Sequence, residues 1–240
     1  MVFFRLHNQD CVSPHEIVAY RPDNFAEIDK LPVIIFLHGS AERGLDPGQP
    51  LKDIGYVVSD YWLPALVMFP QCHPDYRAFY GEMEERVLFS INRAINELNG
   101  DPKRIYLIGF SMGGSSCLWL AARHPELFAG IVCIAPGITW IGAEPPPRFP
   151  TDVTEMFESM FVVPNRMEGI AKNVHQAPIW FIQGTHDEPC PIDETRTLIT
   201  ELRKLGSDPK VTEYEGAGHD ILSTALREPG LFDWLFAQHR

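Results

Sequence analysis

The chain has 240 residues, 45% of them hydrophobic and 22% charged, with 32 acidic against 20 basic side chains and a net charge of −12. These are globular values, and one domain of this length buries roughly 70–75% of its unfolded surface, so neither disulfides nor a structural metal are required. The negative charge repels phosphate backbones and anionic membrane surfaces, which argues against nucleic acid and against stable membrane association.

Along the chain, Met1 to Asp10 is interrupted by Arg5, His7 and Asn8 and has no signal-peptide run. The longest apolar runs, such as Val33–Leu37, fall far short of the roughly 20 residues that span a bilayer. A cytoplasmic location is expected. Five cysteines, an odd number without a C-x-x-C pair, indicate neither a disulfide framework nor a zinc site. His15–Tyr20 reads as an antiparallel strand. Val33–Leu37 and Ala65–Phe69 are short continuous apolar runs, as in strands buried on both faces of a parallel sheet.

Val87, Ile91, Ala94, Ile95 and Leu98 recur at helical spacing between Glu82 and Asn99, and Gly100 closes that helix. Asp101-Pro102 opens a turn into a strand at Arg104–Ile108, and a helix follows over Met112–Arg123. Strands are predicted at Gly130–Ala135, Ile179–Gln183 and Lys210–Tyr214, with helices at Ile192–Leu205 and near Leu231–Gln238. Alternating strands and helices predict an α/β fold with a doubly wound, mostly parallel sheet flanked by helices.

One stretch breaks the alternation. Between Pro136 and Pro178 no clear strand is present, and long inserts in compact domains are usually functional lids or disordered. Residues 1–240 are therefore read as one domain carrying a lid or cap insert at 137–177. Within the insert Val153, Met156, Phe157, Met160 and Phe161 share one helical face, which either packs on the core or roofs a pocket. On the second reading Phe157, Phe161 and Trp140 are the expected substrate-binding residues.

Gly109-Phe110-Ser111-Met112-Gly113 matches G-x-S-x-G, with an apolar strand before it and an apolar helix after it. That context lifts a serine clear of a sheet on a tight strand-to-helix turn, so Ser111 is the expected nucleophile. A serine hydroxyl needs a base. Of His186, His219 and His239, only His219 lies on a Gly-rich turn just past the strand ending at Tyr214, at the sheet edge where doubly wound folds bind ligands. The acid is expected at the end of the preceding strand, where Asp187 leads and Glu188 and Asp193 are rivals. Oxyanion donors are expected from the amides of Met112 and Ser40, the latter in the loop His38–Gly44.

Taken together, HGSAERG (His38–Gly44), Pro70–Cys72, GFSMGG, the Gly184–Asp187 loop, GAGHD and the Arg227–Gln238 tail resemble the α/β-hydrolase family of feruloyl-esterase-like, phospholipase/carboxylesterase-type proteins. Some members of that family are labelled predicted peptidases or depolymerase-like. The resemblance runs from about Leu31 to the end and implies a triad of Ser111, Asp187 and His219, with Ser40 and Met112 as oxyanion donors. The chain departs from the family at Ala41, where glycine is frequent, at Ile221-Leu222, where an aromatic is frequent, and in its longer insert.

The expected function is a serine carboxylesterase acting on a small-molecule ester with a short acyl or aryl group. A thioesterase or peptidase with the same triad, and a catalytically silent binding protein of this fold, are the alternatives. No metal-ligand spacing is present and no cofactor is implied. The sequence does not bear on oligomeric state.

Overall fold

The computed structural model describes residues 2–8, 15–23, 29–51, 55, 63–141 and 151–240, without the side chains of 140, 141, 151 and 152. Eight strands form one sheet in the order β1-β2-β4-β3-β5-β6-β7-β8. They are β1 Val2–Asn8, β2 His15–Arg21, β3 Leu31–Leu37, β4 Leu66–Phe69, β5 Gly100–Phe110, β6 Gly130–Ile134, β7 Ile179–Gly184 and β8 Lys210–Tyr214. β1 pairs with β2, and β2 with β4, antiparallel; every other pairing is parallel.

The central strands bury both faces, and residue parity decides which side each residue serves. Val33, Ile35, Leu107, Ile131, Cys133, Ile179 and Phe181 belong to one core cluster. Ile34, Phe36, Tyr106, Ile108, Val132, Trp180 and Ile182 belong to the other. The first is covered by helices α1 (Glu82–Glu97), α2 (Met112–Arg123), α5 (Arg166–Val174) and α6 (Ile192–Lys204). The second is covered by α7 (Leu222–Ala225) and α8 (Leu231–Phe236). This is the doubly wound, mostly parallel arrangement expected of the sequence.

Two local readings are corrected. The strand after α1 begins at Gly100 rather than Arg104, because Leu31 pairs with Gly100 across a register shift. Asp101 keeps turn chemistry inside that irregular stretch, its Oδ1 accepting the Lys103 N–H at 2.9 Å. The second correction is β1, absent from the sequence reading: it is a half-exposed edge strand whose partner supplies the order.

The insert is helical. α3 spans Ile138–Ile141, α4 spans Thr151–Phe157 and continues as a π turn over Glu158–Val162, and α5 follows. Residues 142–150 lie outside the described residues. The π turn packs on α5, and α5 on α2 and α6. Phe157 and Phe161 are fully buried and stack against each other at 5.2 Å and against Trp119 at 5.8 and 6.3 Å. Their assignment to substrate binding is therefore corrected: the helical face they share is core, and none of it lines the cavity at Ser111. Trp140 lies on α3, and its side chain is outside the described residues.

Candidate active site

Ser111 stands between β5 and α2 with φ 53° and ψ −114°, a left-handed conformation that costs energy for a residue with a Cβ. The surrounding backbone holds it there. Its N–H donates to the Ile134 carbonyl at 2.9 Å, and its own carbonyl accepts from Gly137 at 3.3 Å. The turn closes because glycines flank it: a Cβ on Gly109 would lie 2.2 Å from the Gly113 carbonyl oxygen.

His219 reaches the serine from the loop after β8. Its Nε2 lies 3.0 Å from Ser111 Oγ. Its Nδ1 lies 2.9 and 3.0 Å from the two carboxylate oxygens of Asp187, on the loop after β7. A carboxylate only accepts, so Nδ1 carries the proton and Nε2 presents a lone pair to the serine hydroxyl. The two loops are tied backbone to backbone, with His186 N–H donating to the Ala217 carbonyl at 2.9 Å. The ring of Phe110 lies 5.1 Å from that of His219, tilted by 32°.

Asp187 is buried, and donors other than His219 satisfy it. The Cys190 N–H donates to Oδ1 at 2.9 Å and Gln183 Nε2 to Oδ2 at 3.3 Å. Gln183 is itself held by Thr195, whose hydroxyl donates to Oε1 at 2.6 Å. Gln183, Phe110 and the Cys190 backbone are contributors the sequence reading missed. A glutamine at the inner end of a strand carries no motif, and Phe110 occupies the variable position of G-x-S-x-G.

The rivals lie elsewhere. Glu188 is exposed, and Asp193 is exposed and pairs with Arg196 at 3.3 Å. His186 hydrogen-bonds Thr185 on the rim, and His239 is an exposed tail residue.

A cavity of about 600 Å³ opens at Ser111, and Ser40, Arg43, Met112, Cys190 and His219 line it as well. Ser40 begins a 3-10 turn, Ser40–Glu42. Behind it, His38 is buried and shapes the loop: Nε2 accepts the Cys72 N–H at 3.0 Å, and Nδ1 donates to the Gly39 carbonyl at 2.7 Å. Burial pushes the His38 imidazole down to about 4, against the Gly39 hydrogen bond and with the help of the Arg43 charge, so it is neutral. Burial and the Asp187 charge push the Cys190 thiol up to about 12, against a hydrogen bond with Ser111. Asp187, Cys190 and His219 place potential ligand atoms within 4.8 Å of one another. Of these, the carboxylate and the imidazole engage each other directly.

The sequence profile of the prolyl oligopeptidase family matches residues 87–231, more than half of the chain, from within α1 to the start of α8. The chain belongs to the prolyl oligopeptidase family. The matched span contains Ser111, Asp187 and His219. Among curated family relatives, the uncharacterized peptidase YuxL of Bacillus subtilis (strain 168) is 28% identical over 156 residues, covering 62% of this chain and 24% of that protein. In fold, a thermostable esterase superposes over 99% of this chain and 63% of its own, with a TM-score of 0.73 and 23% identity.

The Staphylococcus aureus fluorophosphonate-binding serine hydrolase FphF superposes over 99% and 98%, with a TM-score of 0.72 and 13% identity. The chain thus spans about a quarter of the length of the curated relative and under two thirds of the esterase. The superpositions show the α/β-hydrolase fold that the sequence motifs implied. Among the described residues no helix is long and apolar enough to cross a membrane.

Proposed function

We propose that this chain is a serine carboxylesterase that hydrolyses short-chain acyl or aryl esters of small molecules. The observation that carries the reading is the position of His219, within hydrogen-bond reach of both Ser111 and Asp187 at the wall of an open cavity.

In this reading Ser111 Oγ attacks the ester carbonyl carbon while His219 Nε2 takes the hydroxyl proton. Asp187 holds the imidazole in the Nδ1–H tautomer and stabilises the imidazolium. The amides of Ser40 and Met112 receive the developing oxyanion, and the N-terminus of α2 adds its positive dipole end. The C–O bond to the leaving group breaks, and His219 returns the proton to the departing alkoxide. Water, deprotonated by the same imidazole, then releases the acid from Ser111.

A cavity of about 600 Å³ suits a compact acyl or aryl group. The likeness to a solved esterase supports an ester substrate. The insert serves as fixed packing in its described part, within one domain. A cytoplasmic setting fits the buried cysteines 72, 117, 133 and 190, which are free thiols. A second reading, a peptidase acting through the same three residues, is favoured by the family and by the Bacillus relative named as a peptidase.

A hydrolysis panel separates the two. p-Nitrophenyl esters from acetate to dodecanoate, an acyl thioester and aminoacyl p-nitroanilides would be compared by kcat/KM. Short esters should exceed the anilides and the long esters by orders of magnitude. Anilides turned over faster than esters would make the chain a peptidase.

A further inference from the structure

The cavity at Ser111 is lined by two guanidinium groups, Arg43 and Arg77, in a chain whose net charge is −12. Arg43 directly follows the turn that carries Ser40. Its Nε donates to the Ser40 carbonyl at 3.0 Å, and Nη1 donates to the carbonyls of Tyr76 at 2.9 Å and Pro74 at 3.4 Å. All three acceptors are neutral. Among the described residues no carboxylate pairs with Arg43, and Nη2 makes no hydrogen bond.

Asp75 and Arg77 also line the cavity, from the loop whose Pro74 and Tyr76 carbonyls hold Arg43. The Asp75 side chain is also 82% exposed and sits 3.5 Å from His73 Nδ1. Asp187 faces His219. Among the described residues Arg43 is thus a half-buried cation in the cavity wall, held by carbonyls, with no carboxylate paired to it and the two N–H groups of Nη2 unused. Carbonyls orient a guanidinium without neutralising it, and a carboxylate is the acceptor that matches the remaining edge in charge and geometry.

We propose that Arg43 determines specificity by receiving a carboxylate of the substrate on Nη2, so that the preferred substrates are esters bearing a second, ionised carboxyl group. This rests on the Ser111-dependent hydrolysis proposed above. The carboxylate can belong to the acyl part, as in a dicarboxylic half-ester, or to the leaving group, as in an acylated hydroxybenzoate.

Two matched pairs distinguish these sources and test the proposal: p-nitrophenyl hemiglutarate against p-nitrophenyl valerate, and 3-acetoxybenzoate against its methyl ester. In the wild-type protein, kcat/KM should favour the anionic member of one pair by about tenfold, the scale of one charge-assisted hydrogen bond. In Arg43→Gln that preference should fall about tenfold, with the neutral partner reporting any damage to the Ser40 loop.

A wild-type ratio at or below one in both pairs overturns the proposal without any variant. So does a ratio unchanged in Arg43→Gln, or a larger loss in Arg77→Gln than in Arg43→Gln. If no ester is turned over at all, the hydrolase reading fails and the proposal falls with it. Turnover of the neutral esters without an anionic preference removes the proposal alone.

Discussion

Gly113 lies so close to β3 that a Cβ on it would stand 1.9 Å from the carbonyl oxygen of Leu37. Real Cβ atoms do not approach a carbonyl so nearly, so the start of α2 and the end of β3 meet through an absent side chain. Those two elements carry Met112 and the loop to Ser40. Gly113→Ala should push them apart, lowering the yield of folded protein or, where it folds, cutting turnover by at least about a hundredfold. Near-normal activity with an unchanged melting temperature would show that the contact does not position the site.

The buried His38 makes the fold sensitive to acid. Its folded-state value of about 4 lies below the ordinary value of about 6.5. The unfolded chain therefore takes up a proton before the folded one does. Stability is complete above about pH 6.5 and is lost as the pH falls from there toward 4, by on the order of 3 kcal/mol. Urea unfolding at pH 7, 5.5 and 4.5 should show a steeper acid loss in the wild type than in His38→Gln. Parallel losses would mean that His38 is protonated in the fold at little cost.

Phe157 and Phe161 test the placement of the insert. Both are fully buried against Trp119. Truncating a buried phenylalanine to alanine costs about 3–5 kcal/mol, which corresponds to a fall in Tm of roughly 10 °C in a chain of this size. Phe157→Ala should show that loss while its preference among acyl chain lengths stays that of the wild type. A shift toward longer esters at an unchanged Tm would return this residue to the pocket.

How much could be seen in advance differed by the kind of signal. Ser111 was legible because G-x-S-x-G dictates local backbone geometry, and a Cβ on Gly109 or Gly113 would collide with backbone. His219 and Asp187 were legible because each follows a recognisable strand, and strand ends converge at one sheet edge. Phe157 and Phe161 were misassigned because helical periodicity reveals a shared face and not the neighbour that face meets. β1 was missed because an edge strand with one buried residue has too weak a pattern to stand out. Gln183 acts on the loop that follows its own strand, through a side-chain contact that no motif encodes, and Arg43 bonds a loop some thirty residues on that no local pattern reveals.

The central claim is that Ser111 is the nucleophile of an acyl-transferring hydrolase, with His219 and Asp187 as its base and orienting acid. Fluorophosphonate labelling of the wild type and of Ser111→Ala, read by intact mass and peptide mapping alongside ester hydrolysis, tests it most directly. The account predicts one adduct, on Ser111, and a loss of turnover in the variant on the order of 10⁴–10⁶-fold with the fold intact. An adduct on another residue, or a folded Ser111→Ala protein that keeps more than about a tenth of wild-type ester hydrolysis, would contradict it.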